Sequence, residues 1–372
     1  MASIKQTTFS NESSIQQNES FYLDCIYFDY PFSFKITEIF VLSVILLSSL
    51  IGNTLLITIV FKRPELRNTI NYFIVNMAVS DFIFALLSIP VRLAAIGSSP
   101  WQWHTEGMTG LIFCKFYVFV ERVSPAISVQ SLCWIALDLF MAVVFPMKVY
   151  LISSRFRALA MASTWVVATI TRWVDLYLTE LIETDAGVIC KRPEYPFVRA
   201  ALWFRYYAIF VAVFFSVVPL ILMTIIYCII ALTLRKQNKS LSGSEVHQRT
   251  RRKESAIRMS FCIMASFYIC SAVPQISNFL FYQVQKAISC SLYLLFWIFV
   301  YIMFCVSSAI NPIICLTFVS SYRRGLKEIL SCCFSKRPTA SSSRIAQTKD
   351  EIKLQAFSVI PEMQDNLGSS ET

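Results

Sequence analysis

A cysteine and an aspartate bracket one apolar run in this sequence. Cys114 and Asp138 lie about 24 residues apart within LIFCKFYVFVERVSPAISVQSLCWIALDLFMAVVFPMKVY, the stretch that begins at Leu111. At 1.5 Å per residue a helix would separate them by roughly 36 Å, a little more than the hydrocarbon thickness of a bilayer. Cys114 would then stand at one water interface and Asp138 at the other. Glu121 and Arg122 fall about two turns below Cys114, where an ionisable side chain is costly unless a partner or water meets it. They are expected to face a cavity or a neighbouring helix. Similar chemistry recurs along the chain: Asp81 stands in an apolar run with Arg92 near its end, and Asn53 in the run before it. Arg172 and Asp175 are spaced i, i+3, near enough to pair on one helix. A carboxylate such as Asp81, held in an apolar setting, must find hydrogen-bond donors, a cation or a proton.

Composition says what positions these groups. The chain has 372 residues, 56% hydrophobic and 15% charged, against about 25% charged in soluble domains. Apolar windows near 37–61, 70–96, 111–145, 157–181, 203–234, 256–284 and 290–318 are each long enough to span a bilayer with some tilt. The expectation is an all-α membrane protein, a seven-transmembrane helix bundle over residues 36–319. A polar tail, 1–35, precedes it. An amphipathic segment, 320–333, and a polar tail read as disordered, 334–372, follow.

The net charge of +10 is distributed in a way that speaks against a nucleic-acid partner. Lys62, Arg63 and Arg67 follow the first span, Lys148, Arg155 and Arg157 the third, and Arg235, Lys236, Lys239, Arg249, Arg251, Arg252 and Lys253 the fifth. The loop after span two has no basic residue and the loop after span six only Lys286; Lys191, Arg192 and Arg199 after span four weaken the bias without reversing it. By the positive-inside rule the amino terminus is outside and the carboxyl terminus cytoplasmic. No apolar signal core precedes the first span, which is expected to act as its own insertion signal. Asn11 and Asn18, in Asn-Glu-Ser triplets, are glycosylation acceptors on that outer tail.

Gly52-Asn53, the NMAVSD stretch ending in Asp81, Pro90, the tryptophan before Cys114, Asp138 followed by AVVFP, Trp165, Pro219 with Tyr227, Pro274, and Asn311-Pro312 come in order, one set per span. Over about residues 37–331 the chain resembles a rhodopsin-like (class A) G-protein-coupled receptor, with a peptide-receptor character. The resemblance implies a Cys114–Cys190 disulfide in the outer loops, where such bonds persist. Cys25 and Cys290 are the other cysteines placed outside, and a second bridge between them would tie the tail to span seven. Four cysteines allow three pairings. Asp81, Asn53, Ser128, Ser307 and Asn311 look like the family's intramembrane sodium pocket, with serine at 307 where an asparagine is familiar. The metal ligand would be Asp81, and sodium is the only cofactor implied. Ser320 to Ser331 resembles the family's membrane-surface helix, with Arg323, Arg324 and Lys327 able to meet anionic lipid and Cys332-Cys333 as palmitoylation sites.

The departures fall on elements that transmit activation in the family. Asp138 is followed by Leu139 where an arginine contacts the G protein. Glu254, placed like the acid that latches that arginine, lacks it. Ala272 stands for a tryptophan in span six and Cys315 for a tyrosine in span seven. Tyr227 keeps its family type on the G-protein face.

An outer cavity holding Arg92, Glu121, Arg122, Arg172, Asp175 and Tyr301, with Trp203 and Tyr206 above, is the expected ligand site. Its mixed charge suits a peptide. Glu121 sits where amine receptors carry an aspartate, which keeps an amine open, and a lipid or other acid remains a third class. The resemblance implies a plasma-membrane receptor that signals to a heterotrimeric G protein or arrestin. The competing reading is a ligand-binding but silent scavenger, motivated by Leu139. No phosphate loop or nucleophile elbow is present, and with only His104 and His247 no histidine-based site, so no enzyme is expected. The lack of any lysine between Cys290 and Phe318 argues against a retinal pump.

Overall fold

Helices account for nearly every described element, because runs this apolar can satisfy their backbone groups in lipid only internally. The computed structural model describes residues 31–96, 103–145, 153–184, 187–191, 202–238, 254–271 and 289–334. Helix α1 covers Phe32–Lys62, α2 Thr69–Ile96, α3 Gly107–Val144 and α4 Ser154–Leu178. The fifth span is built from α5 (Leu202–Ala212), a π turn (Val213–Val217) and α6 (Val218–Asn238). Helix α7 covers 254–271, α8 Cys290–Phe318 and α9 Ser320–Phe334. Among the described residues, five helical stretches are long and apolar enough to cross a membrane: α1, α2, α3, Ile209–Lys236 and α8. Helix α4 carries Arg155, Arg157, Arg172 and Asp175, which makes it the most polar of the long helices. Only the first part of the expected sixth span lies within the described residues.

Two features differ from the sequence reading. A two-stranded antiparallel hairpin, β1 (Glu180–Thr184) and β2 (Gly187–Lys191), follows α4, so that helix ends at Leu178 rather than near 181. The π turn lies just ahead of Pro219. Proline has no N–H to give the carbonyl four residues back, and its ring crowds that turn, so the helix widens there. Pro90, Pro125 and Pro312 lie inside continuous helices. Pro274 and Ala272 are outside the described residues.

The core runs between α1, α2, α3 and α8, with Leu42, Phe84, Ile89, Ile96 and Cys305 at its centre. Gly52 allows a close approach of α1 to α8: a Cβ there would stand 2.8 Å from Cβ and Cγ of Pro312. Asn76 ties three helices together. Its amide nitrogen donates to Ser131 Oγ at 2.9 Å and Thr164 Oγ1 at 3.1 Å, and its oxygen accepts from Trp165 Nε1 at 2.9 Å. With both ends of the side chain used, a polar group deep in the bundle is satisfied. The described residues divide into two compact units between Gly325 and Leu326, the second being the last turns of α9.

Candidate functional site

The polar residues fall into layers along the bundle. At one end Cys114 of α3 is bonded to Cys190 of β2, with Cα atoms 5.7 Å apart. This fixes the hairpin against α3, and Trp103 N–H donates to the Val188 carbonyl at 2.7 Å. Cys290 is also disulfide-bonded, to a residue outside those described. Cys25, with Asn11 and Asn18, lies outside the described residues too.

The next layer holds buried charge. Arg92 of α2 meets Glu38 of α1: Nε donates to Oε1 at 2.9 Å and Nη2 lies 2.8 Å from the same oxygen. Its guanidinium carbon is 5.8 Å from the ring centre of Tyr301, whose hydroxyl donates to the Ser88 carbonyl at 3.1 Å. Glu38 is 2% exposed and Glu121 5%. Glu38 is a partner of Arg92 that the sequence did not single out. Glu38 lies inside the first apolar window, and nothing local marks its turn toward α2. On the opposite side of α3, Arg172 Nη1 lies 3.8 Å from Asp175 Oδ2, and the Tyr207 hydroxyl donates to the same oxygen at 3.2 Å. The Arg172 guanidinium stands 5.2 Å from the ring centre of Phe215, in the π turn. Arg122 is close enough to act electrostatically on Arg172 and Tyr207. Tyr206, expected in the cavity, is 65% exposed, and Tyr207 faces inward in its place. The side chain of Trp203 is outside the description.

The third layer surrounds Asp81. Asn311 Nδ2 donates to Asp81 Oδ2 at 2.8 Å, and the Ser128 hydroxyl to Oδ1 at 3.5 Å. A small cavity of about 10 Å³ adjoins them, lined among others by Ser124, Ser128, Ser307, Ser308 and Phe267. That is room for roughly one water or one small cation. Asn53 is not part of this layer. Its amide nitrogen donates to the Ser49 and Ser308 carbonyls at 2.9 and 3.0 Å, which joins α1 to α8, and its Oδ1 is buried without a hydrogen-bond partner. Residue type and depth suggested membership; the rotation of α1 about its axis decides against it.

At the far end, Asp138 lies against the Thr69 hydroxyl and within reach of Arg157. Arg157 Nη1 also donates to Thr69 Oγ1 at 3.4 Å, with its guanidinium 5.7 Å from the ring centre of Tyr72. Leu139 is 3% exposed, turned into the core. Tyr227 and Ser260 share a short hydrogen bond between spans five and six. Glu254 opens α7, half-buried, one residue before Ser255, whose hydroxyl donates to the Phe318 carbonyl at 2.6 Å. Tyr322 of α9 is fully buried, and its hydroxyl donates to Asn71 Oδ1 at 2.9 Å. Burial holds that hydroxyl well above the usual tyrosine pKa, so it remains a donor. Cys332 and Cys333 lie on the helical backbone of α9, with side chains outside the description.

The family model for the 7 transmembrane receptor (rhodopsin family) matches residues 52–314. The chain belongs to this family. Among its relatives, the receptor is 28% identical to the QRFP-like peptide receptor of Branchiostoma floridae over 236 residues, 61% of this chain and 60% of that one. It is 26% identical to the Substance-P receptor of Homo sapiens over 301 residues, 78% and 70% of the two chains. With the Substance-K receptor of Bos taurus the figure is 26% over 305 residues, 79% and 75%.

The structure shows what stands at two of the receptor's departures. The carboxylate that would hold an arginine at 139 is engaged by Thr69 and Arg157, which come from the starts of α2 and α4. At Cys315, where the family has a tyrosine, there is a buried thiol. Sequence reasoning took Tyr322 only as part of an amphipathic face; Asn71, its acceptor, carried no signal of its own.

Proposed function

We propose that this receptor binds an extracellular peptide in the layer of buried charges at its disulfide end and passes a population shift to a G protein at the Asp138 end. In this reading the amino terminus is outside and the carboxyl terminus cytoplasmic, in the plasma membrane. The observation that carries it is the family membership together with relatives whose names are those of peptide receptors. The mixed-sign layer of Glu38, Arg92, Glu121, Arg122, Arg172 and Asp175 supports it, since peptides present both charges and hydrogen-bonding backbone. A ligand shifts such an equilibrium only by its differential affinity for the two states. The test is ligand-dependent G-protein activation in transfected cells, with a peptide library as the source of ligands and arrestin recruitment read in parallel.

A second reading, a receptor that binds without coupling, is favoured by Leu139 and by the engagement of Asp138 with Thr69 and Arg157. Leu139→Arg separates the two. Signalling that arises only in the variant supports the silent receptor, and robust signalling by the natural chain eliminates it.

A sodium ion at Asp81 belongs to the same proposal. The fit rests on the donor set: Oδ2 accepts from Asn311, Oδ1 has only a long 3.5 Å contact with Ser128, and Ser124, Ser307 and Ser308 line the cavity beside the apolar Phe84, Pro125, Phe267 and Phe304. One carboxylate with neutral oxygens is the donor set a hard cation takes. Glycosylation at Asn11 and Asn18 and palmitoylation at Cys332 and Cys333, next to lipid-facing basic residues, complete the reading.

A further inference from the structure

The buried charges at the disulfide end are satisfied unequally. Arg92 is closed by Glu38 through two nitrogens, at 2.9 and 2.8 Å. Arg172 is not. Its approach to Asp175 is 3.8 Å, well beyond the roughly 2.7–2.9 Å of a charge-assisted hydrogen bond. The oxygen it approaches already accepts from Tyr207, at 3.2 Å, and its own Nε is buried with no hydrogen-bond partner. Arg122 adds a second guanidinium within electrostatic reach. Arg172, Asp175 and Tyr207 therefore meet loosely between spans four and five, with Arg122 of span three nearby. The ring centre of Phe215 lies 5.2 Å from the Arg172 guanidinium carbon.

A guanidinium presents five donors in a rigid fork shaped for a carboxylate. An unmet edge in an apolar setting carries a desolvation penalty that a second anion would remove. We infer that Arg172, with Arg122 beside it, anchors a carboxylate of the ligand, on an acidic side chain or at a free peptide carboxyl terminus. The inference rests on the peptide-receptor reading above and names the group that this part of the site recognises. The ligand carboxylate takes the Nε edge of the fork. Asp175 holds the other edge and competes weakly for the same charge.

The experiment uses full-length receptor in lipid nanodiscs and affinity selection, read by mass spectrometry, from three matched octapeptide libraries with acetylated amino termini. One carries a single glutamate and an amidated carboxyl terminus, one carries glutamine and a free terminus, and one carries glutamine and an amidated terminus. Selected peptides are expected to favour one or both of the carboxylate-bearing libraries by about tenfold or more, the scale of one charge-assisted hydrogen bond. Which library wins tells a side-chain carboxylate from a terminal one. Arg172→Gln is expected to abolish the preference and Arg172→Lys to restore part of it. Asp175→Asn, which removes the competing carboxylate, is expected to strengthen it several-fold, a gain that a misfolded variant cannot imitate. Peptides selected without regard to the carboxylate, or a preference that survives Arg172→Gln, overturn the anchor and leave the peptide-receptor reading standing. Selection of no peptide from any library withdraws both.

Discussion

Replacing Glu38 with glutamine should unfold this receptor at a distinctly lower temperature, because it leaves Arg92 charged beside a neutral partner in a nearly dry site. Arg92 and Glu38 side chains are 11% and 1% exposed, and two guanidinium nitrogens contact one carboxylate oxygen. Removing one member of a buried pair costs about 3–5 kcal/mol. An arginine placed at mid-membrane costs about 2.5–3.5 kcal/mol on insertion scales. Arg92 lies near the end of α2 and keeps the Tyr301 ring as a neighbour, so the lower part of both ranges, about 3 kcal/mol, is expected. In a membrane domain of this size that corresponds to a melting shift on the order of 5–10 °C. Arg92→Met should cost a similar amount by taking the guanidinium away from the buried Glu38. The double variant is the decisive arm: with both charges gone it should recover about 2 kcal/mol relative to the sum of the singles. The assay is thermal unfolding of detergent-solubilised full-length receptor, followed by the fluorescence of a thiol-reactive dye. A Glu38→Gln variant that melts within about 1 °C of the natural chain, or single losses that simply add, would refute the pairing as a stabilising contact.

Three further outcomes follow from single contacts. Gly52→Ala places a methyl 2.8 Å from the Pro312 ring, which cannot rotate away, so spans one and seven must separate; a loss of about 1–3 kcal/mol is expected by the same thermal assay. Tyr322→Phe strands Asn71 Oδ1 and should cost about 1–2 kcal/mol, whereas Tyr322→Leu, which also empties an aromatic volume, should cost more. If sodium occupies the Asp81 cavity, the natural chain should melt higher in sodium than in an equal concentration of N-methylglucamine, and Asp81→Asn should remove the difference; equal melting in both salts counts against the ion.

Hydropathy, loop charge and the order of landmarks told the sequence reader that this is a helical bundle of the rhodopsin family. Those features are local or additive along the chain: a span is legible because lipid leaves an apolar run no alternative to the helix. The pairing of Arg172 with Asp175 was legible for the same reason, being set by helical spacing. The partners of Arg92, Asn53 and Tyr322 were not. Each depends on how far a helix turns about its axis and how deep it sits against a neighbour distant in sequence. Glu38 is 54 residues from Arg92, and the Ser308 carbonyl is 255 from Asn53. One step of helical phase exchanges Tyr206 for Tyr207 as the inward tyrosine. Packing at Gly52 and the widened turn before Pro219 are among the contacts that set such phases. Sequence alone placed Asp81, Glu121 and Arg172 inside apolar spans, where they had to find polar company; only the packed bundle decided which side chains meet, because an apolar run is read along the chain and pairing is a property of the fold.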